Sequence, residues 1–396
     1  MSFGVFIDFF EVVWYHKYII ITEGDFSMFH KYFSNVSCGT GNNYILIFGE
    51  EKNIRARAFF KVEATGKYNY RFFYQNSVNS TFAQGEHAYV NQSGGNWTVS
   101  YARVGIGSEF GCYDAPDCFI PVTFDGKMTK NVSPDEYFWS DEVVIDVPEG
   151  KYLVWEWEIT GDLIPCTPDS QIPTFVDLGE GFATYYGCPM PNFIGCDKIV
   201  KKRVVFVGDS ITQGCGTSFD KYDMWVGRIG KMLKDEYAVW NIGLGFSRGS
   251  DIETGGSLMY KAKQNDVAVL TYGVNDLLSG KFKVGRGDTA GELLSRIEGL
   301  VKELQSAGLT VILSTIPPFR YHEAALREWR CVNMAIPVLA KTYGCRVYDF
   351  EGSLDASNEY LGNDYTRYGD HPNGEGGKAA ADAFKNTFFD GKEWTL

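Results

Sequence analysis

The feature that most constrains the fold is a change in hydrophobic period near Val204. From there, short runs of apolar and β-branched residues alternate with stretches whose apolar residues recur every three or four positions, as in buried strands and amphipathic helices. The runs predict strands at 204–207, 238–242, 267–272, 310–315 and 346–350. The stretches predict helices near 224–236, 291–307, 323–343 and 374–389. This alternation indicates a five-stranded parallel sheet with helices on both faces.

The first part of the chain has a different pattern. Apolar and polar residues alternate in short runs at 44–48, 56–62 and 152–159. Such runs, separated by Gly, Asn and Pro turns, are typical of an antiparallel β-sandwich. The stretch 166–202 is rich in Pro and Gly and is interpreted as a linker. We therefore expect a jelly-roll-like sandwich domain at 1–165, a linker at 166–202 and an α/β domain at 203–396.

The charge of the chain limits its partners. Its 396 residues suffice for two domains, and the formal net charge of −13 is spread along the sequence. Nucleic acids and anionic membranes are bound by clusters of Lys and Arg, so neither is expected as a partner. We expect a neutral small molecule or glycan, and a homodimer formed through the sandwich is an open alternative for the role of that domain.

The apolar opening stretch 3–22 does not look like an export signal. Asp8 and Glu11 interrupt it, and neither a basic region before it nor a small-residue cleavage site after it is present. We expect a strand or helix there. A weak membrane anchor and a start codon placed too early are the alternatives.

The cysteines indicate a reducing setting. There are nine, an odd number, without a C-x-x-C pair or the spacing of a zinc site. We expect a cytoplasmic protein without a bound metal or cofactor. Export is the alternative, and it would allow disulfides among Cys112, Cys118, Cys188 and Cys196.

A candidate nucleophile follows the first predicted strand of the α/β domain. The segment Gly-Asp-Ser-Ile-Thr-Gln-Gly occupies 208–214, where a tight turn can present Ser210 at the carboxyl edge of the sheet. Glycine allows the backbone to approach a substrate closely. Asp-Ser after a strand is also a common helix N-cap, so the motif alone does not establish catalysis.

Three later loops strengthen the case for a site at this edge. The segments 241–246 and 273–276 follow the second and third predicted strands, and 368–373, with His371, precedes the last predicted helix. Of the five histidines, only His322 and His371 lie in the α/β part. His322 is interpreted as a solvated residue that starts the helix beginning near 323, and the alternative is that it lines the pocket at the end of the fourth strand. His371 is therefore the candidate general base, because imidazole titrates near neutral pH.

These four segments resemble, in order and spacing, the four blocks of the GDSL hydrolases, also called SGNH hydrolases, over about 202–389. The resemblance implies a three-layer α/β/α flavodoxin-like fold and a serine esterase. It implies Ser210 as nucleophile, His371 as base, and an oxyanion hole formed by the N–H of Ser210, the side chain of Asn275 and a glycine of the second block. The family places that glycine where this sequence has Gly245 or its neighbour Phe246, and we assign it to Gly245.

The fourth block departs from the family pattern. The family has Asp three residues before the catalytic His, and this chain has Tyr368. Asp370 is adjacent to His371 and is expected to point elsewhere, and the reach of Asp364 is open. Some related carbohydrate esterases use a Ser-His dyad whose imidazole is oriented by a backbone carbonyl. We favour such a dyad. The alternative is a triad, for which Asp370 and Asp364 are the possible orienting acids.

The expected activity is hydrolysis of short acyl esters, acetyl in the leading hypothesis, on a carbohydrate or similar neutral compound. The segment 139–153 is similar to β-sandwich domains that precede GDSL domains in some bacterial esterases, which favours a glycan substrate. A lysophospholipase or thioesterase is the alternative enzyme. A non-catalytic carbohydrate-binding protein is the alternative from another class.

Overall fold

The computed structural model describes residues 28–83, 87–168, 171–253, 256–278, 286–354, 363–366 and 369–396, without the side chains of 80–90 and 363. The apolar stretch 3–22 and Tyr368 lie outside these residues. Within them, no helix combines the length and the apolar character that a membrane span requires. All nine cysteines are free thiols.

The N-terminal part is a sandwich of two antiparallel sheets. One has the strand order β1-β15-β4-β10, with β11 also paired to β4, and the other has the order β14-β3-β12-β7-β8, with β9 also paired to β7. The two small sheets β13-β2 and β5-β6 flank them. The strands are β1 Phe33–Ser34, β2 Tyr44–Leu46, β3 Lys52–Phe60, β4 Gly66–Gln75, β5 Ser77–Ala83, β6 His87–Ser93, β7 Trp97–Glu109, β8 Phe119–Val122, β9 Lys130–Val132, β10 Tyr137–Trp139, β11 Val143–Val147, β12 Lys151–Gly161, β13 Ile164–Cys166, β14 Thr174–Asp177 and β15 Phe193–Cys196.

Alternation of side chains produces the sandwich core. In β11, Val143, Ile145 and Val147 are buried while the residues between them are exposed. In β12, Trp155 and Trp157 point inward and pack against each other with ring centroids 5.5 Å apart. Because successive side chains of a strand face opposite sides, the period of two fixes which face is buried.

The assignment of 166–202 as a linker is wrong. Thr174–Asp177 pairs with β3, and Phe193–Cys196 pairs with β4 and β1, so both main sheets take a strand from this stretch. These strands have only four residues each, and β15 is buried along its whole length, so it shows no alternation. The Pro and Gly residues therefore separate short strands, and the sandwich extends to Cys196.

The C-terminal part is a three-layer α/β/α domain with a flavodoxin-like sheet. Its five parallel strands have the order β17-β16-β18-β19-β20, which is 2-1-3-4-5 within the domain. The strands are β16 Lys202–Val207, β17 Tyr237–Asn241, β18 Val267–Leu270, β19 Thr310–Ser314 and β20 Arg346–Tyr348. The helices are α1 Ser210–Gln213, α2 Trp225–Leu233, α3 Gly249–Glu253, α4 Ser257–Ala262, α5 Val274–Leu278, α6 Ala290–Ser306, α7 Glu323–Thr342, α8 Phe350–Ser353 and α9 Gly374–Phe388, with a 3-10 turn at Asn363–Tyr365. The predicted strands and long helices are confirmed, most of them to within two residues at each end.

The two parts share an apolar interface. Phe29, Phe73 and Phe193 from the sandwich side belong to the same buried cluster as the α/β core. Phe29 stacks on Trp240 of β17 with centroids 5.4 Å apart. Residues 35–43, which connect β1 to β2, are buried at every position and run along this interface. This segment, called the buried loop below, meets the α/β domain beside the carboxyl edge of its sheet.

Candidate active site

Ser210 begins the short helix α1 directly after β16. Asp209 is the N-cap, and its Oδ1 accepts a hydrogen bond of 2.9 Å from the backbone N–H of Ile211. At the other end, Gly214 closes the turn with φ of +109°, a conformation that glycine adopts without strain. Asp209 is thus a helix N-cap, which was the alternative interpretation of the Asp-Ser pair in the sequence. The same cap holds Ser210 at the edge of the sheet.

His371 is held against Ser210 by the loop that precedes α9. Ser210 Oγ and His371 Nε2 are 2.9 Å apart. The edge of the imidazole meets the ring of Phe319, with centroids 5.4 Å apart and planes at 75°. In the loop after α1, a Cβ at Gly216 would lie 2.8 Å from His371 Cβ, so only glycine leaves room for the His371 side chain. The structure therefore brings together the two residues that the sequence assigned as nucleophile and base.

Asp370 contacts the imidazole, contrary to the expectation that it points elsewhere. Its Oδ1 lies 2.9 Å from His371 Nδ1. The loop turns sharply here, because Gly369 has φ of +84° and its N–H donates to Thr366 Oγ1 at 2.7 Å, while that hydroxyl donates to His371 O at 2.9 Å. This turn lets adjacent side chains fold towards each other. A carboxylate, in place of the backbone carbonyl of the predicted dyad, is thus the group at Nδ1.

Asp364 has a different position. It is exposed, and its backbone carbonyl accepts a hydrogen bond of 2.9 Å from Asn373 Nδ2. Asn373 in turn caps α9. Asp364 therefore belongs to the base of the loop that carries His371, and of the two possible orienting acids Asp370 is the one placed on the imidazole.

The assignment of the backbone oxyanion donor to Gly245 is not what the structure shows. The Gly245 N–H donates to Gln213 Oε1 at 2.7 Å, so it is engaged by a side chain. Phe246, the other candidate position, has φ of +64°. A bulky residue in this left-handed region is strained, and such strain is concentrated at functional sites. Of the two positions, Phe246 is therefore the better candidate, and its side chain is 39% exposed.

Asn275 lies in the first turn of α5 and is buried. Its Nδ2 donates to Ser247 O at 3.1 Å, which ties the loop after β18 to the loop after β17. This bond orients the side-chain amide, whose nitrogen is a hydrogen-bond donor. His322, by contrast, caps α7: its Nδ1 accepts from Ala325 N at 3.3 Å, and the residue is exposed.

Two buried carboxyl groups near the site have raised pKa values. Burial raises the pKa of Asp209 to about 6, and the nearby His371 partly opposes that shift. Burial likewise raises the pKa of Asp276 to about 7, although its Oδ2 accepts a hydrogen bond of 3.1 Å from Gly249 N. Over the described residues, no group of three or more His, Cys, Asp or Glu side chains is arranged to hold a metal ion.

Residues 206–379 match the family described as GDSL-like Lipase/Acylhydrolase. No curated protein sequence matches the chain. A lipolytic G-D-S-L family protein from Veillonella parvula is 18% identical, with 48% of this chain and 98% of that one covered and a TM-score of 0.40. An acetyl xylan esterase from Geobacillus stearothermophilus is 17% identical, with 48% and 94% covered and a TM-score of 0.39. The acetyl xylan esterase AlAXEase is 22% identical, with 46% and 98% covered and a TM-score of 0.39.

The match spans Ser210, the loops after β17 and β18, and His371. Together with the parallel sheet order and the contact between Ser210 and His371, it identifies the C-terminal domain. Residues 206–379 of this chain therefore form a GDSL-like lipase/acylhydrolase domain.

Proposed function

We propose that this protein hydrolyses short acyl esters, acetyl esters above all, of a neutral carbohydrate or similar compound, through an acyl-enzyme on Ser210. The observation that carries the proposal is the chain of two contacts, each 2.9 Å long, that joins Ser210 Oγ to His371 and His371 to Asp370. This is the arrangement of a nucleophile, a general base and a group that orients the base.

The proton path follows from the contacts of the imidazole. An ionised carboxylate only accepts hydrogen bonds, so Asp370 places the hydrogen of His371 on Nδ1 and leaves Nε2 as an acceptor. His371 Nε2 then removes the Ser210 proton as Oγ attacks the ester carbonyl. The same nitrogen returns this proton to the leaving alcohol. In the second half of the reaction it activates water, which releases the acyl group and restores Ser210.

The developing oxyanion is stabilised by donors on three loops. We assign them to the N–H of Ser210, the N–H of Phe246 and the Asn275 side chain. Removal of one such donor from a comparable site costs about 3 kcal/mol of transition-state stabilisation. The φ of +64° at Phe246 is a strained backbone conformation of the kind that is concentrated at functional sites, which supports this assignment.

The surroundings of Ser210 favour a short acyl group. A long acyl chain requires a continuous apolar channel or an apolar lid. Among the described loops at this edge of the sheet, the exposed large apolar side chains are Phe219 and Phe246, whereas Phe319 and Tyr321 are buried. Two separate aromatic side chains do not line a channel for a long chain.

The charge of the chain favours a neutral alcohol part. A net charge of −13 repels anionic substrates such as phospholipid surfaces. An exposed aromatic ring such as that of Phe246 can stack on the apolar face of a sugar. These two features support an acylated carbohydrate over a lysophospholipid.

Labelling with a fluorophosphonate, followed by assays with p-nitrophenyl acetate and decanoate, tests the proposal. We expect label on Ser210, no label on the Ser210→Ala variant, and faster hydrolysis of the acetate. Absence of both label and hydrolysis in the wild-type protein would instead support a carbohydrate-binding protein. A preference for decanoate would overturn the short acyl assignment. If acetate is preferred, acetate release from a panel of acetylated oligosaccharides identifies the alcohol part.

A further inference from the structure

The loop after β17 is held in place by three hydrogen bonds that its backbone N–H groups donate. Gly243 N donates to Asn241 Oδ1 at 2.9 Å, and Leu244 N donates to Gly208 O at 3.1 Å. The Gly245 N–H donates to the side chain of Gln213 at 2.7 Å. Gly245 immediately precedes Phe246 in the chain, so this last bond holds the backbone next to Phe246.

Gln213 connects the nucleophile to this loop. It is the last residue of α1, the helix that begins with Ser210, and its side chain is 2% exposed. A Cβ at Gly243 would lie 2.6 Å from Gln213 N, so the loop runs in direct backbone contact with α1. The contact between Gln213 and this loop therefore contributes to the distance between the Ser210 N–H and the Phe246 N–H, together with the bond from Leu244 N to Gly208 O.

The amide of Gln213 is buried at a cost. Its Nε2 makes no hydrogen bond to the described residues, whereas its Oε1 accepts from Gly245 N. A buried polar group left unpaired costs about 1–3 kcal/mol. A methionine or leucine would fill the same space without that cost, which indicates that the acceptor at Oε1 serves the site and not the stability of the core.

The buried loop of the N-terminal domain closes over Gln213. A Cβ at Gly39 would lie 3.2 Å from Gln213 Cγ, and a Cβ at Gly41 would lie 2.7 Å from Leu244 Cδ2. On the far side, a Cβ at Gly245 would lie 3.1 Å from Gln213 Oε1 and 3.4 Å from Asn43 Nδ2. Residues 39–43 thus form the outer wall of the contact between Gln213 and the loop after β17.

The sandwich fixes this wall firmly. Thr40 Oγ1 donates to Asn192 O at 2.6 Å, and Asn192 Nδ2 donates back to Thr40 O at 2.9 Å. Asn42 Nδ2 donates to Gln75 O of β4 at 2.7 Å. Because side-chain amides satisfy its backbone, an irregular segment can remain buried without regular secondary structure. The wall therefore has one defined position relative to the α/β domain.

We propose that Gln213 is a positioning residue that sets the oxyanion hole, and that the buried loop of the N-terminal domain holds Gln213 in its working orientation. The inference rests on the proposed esterase function. It assigns the sandwich a part in catalysis: the α/β domain supplies the reacting groups, and the sandwich supplies the wall that keeps two of the three oxyanion donors in register.

The test is the Gln213→Met variant, which keeps the side-chain volume and removes the acceptor. We expect kcat for p-nitrophenyl acetate to fall about 10- to 100-fold with KM changed less than about threefold, because donor misplacement affects the transition state more than the bound ester. Gln264→Met is the matched control. Gln264 is 1% exposed and donates to Tyr260 O at 3.0 Å, and its neighbours Arg203 and Asn265 lie at the opposite edge of the sheet. Its kcat should stay within about twofold of wild type, whatever its thermal stability.

A second variant covers the case in which Gln213→Met does not fold. Gly39→Ala adds one methyl group 3.2 Å from Gln213 Cγ and leaves the α/β domain unchanged, and we expect a several-fold lower kcat with an unchanged KM. If the wild-type protein hydrolyses the ester and both variants retain kcat within about threefold, the inference is overturned. An equal loss of kcat in Gln264→Met would overturn it as well. If the wild-type protein itself neither hydrolyses the ester nor takes the fluorophosphonate, the proposed function has failed instead.

Discussion

Replacement of Asp370 by Asn is the sharpest test of the base in the proposed mechanism. The change removes the negative charge that lies 2.9 Å from His371 Nδ1 and keeps the size of the side chain. During acylation His371 becomes a cation, so the carboxylate stabilises the transition state more than the ground state. The variant should therefore lose kcat while KM changes little.

The exposure of the pair sets the size of the loss. The side chains of His371 and Asp370 are 21% and 25% exposed, so water screens their interaction in part. Two unit charges 4 Å apart attract by about 1 kcal/mol in bulk water and about 4 kcal/mol near a protein surface. At 1.36 kcal/mol per factor of ten, kcat should fall between about 5- and 1,000-fold. This is less than the roughly 10⁴-fold loss measured for the buried aspartate of a serine protease.

The assay is steady-state hydrolysis of p-nitrophenyl acetate, with Asp364→Asn as the matched control. Asp364 is exposed and lies in the same part of the loop, so its variant should retain kcat within about twofold. A kcat within threefold of wild type for Asp370→Asn would refute the reasoning and would restore the dyad in which a backbone carbonyl orients His371. A larger loss for Asp364→Asn than for Asp370→Asn would show that the orienting acid has been misassigned.

Two further predictions concern buried ionisable groups. Burial raises the pKa of Asp276 from 3.8 to about 7 in the folded state, so the free energy of unfolding of the wild type should fall as pH rises from about 4 to about 7. Asp276→Asn should remove this fall and be more stable than the wild type at pH 8 by about 2–4 kcal/mol. Urea unfolding at pH 4 and pH 8 measures this, and a stability difference between variant and wild type that is the same at both pH values would contradict it. Burial lowers the pKa of Lys261, whose Nζ donates to Asn79 Oδ1 at 3.0 Å, from 10.5 to about 7. Between about pH 7 and pH 10 the lysine is therefore protonated in the unfolded state but not in the folded state, so the free energy of unfolding of the wild type should rise with pH over this range. Lys261→Met should show a higher Tm at pH 7 and no such rise, and parallel curves of Tm against pH for the two proteins would show that Lys261 titrates normally.

Much of the α/β domain could be predicted from the sequence. The bounds of α6 and α7 differ from the predicted ones by a single residue at an end, because an apolar stripe of period 3.6 extends over the whole of each helix. The same periodicity places Ser210, Asn275 and the loop after β17 at one edge of the sheet. Local patterns were sufficient here because each element buries one face against the same central sheet.

The sandwich boundary could not be predicted in the same way. β15 Phe193–Cys196 is buried at every position, since the partner sheet covers one face and the α/β domain the other. A strand of four residues with both faces covered has no alternation to detect. Only the pairing with β4, over a hundred residues earlier in the chain, distinguishes it from a linker.

From the sequence alone, Ser210 and His371 could be assigned as the candidate nucleophile and base, and the edge of the sheet at which they meet could be predicted, because the strands and helices that carry them have a local period. The tertiary structure decided which groups assist them. Asp370 reaches His371 because Gly369 and Thr366 turn the loop sharply, and the Gly245 N–H turns to Gln213 because the buried loop at 35–43 packs on that side chain. Such hydrogen bonds depend on directions and distances between segments far apart in the chain, and no local pattern of residues encodes them.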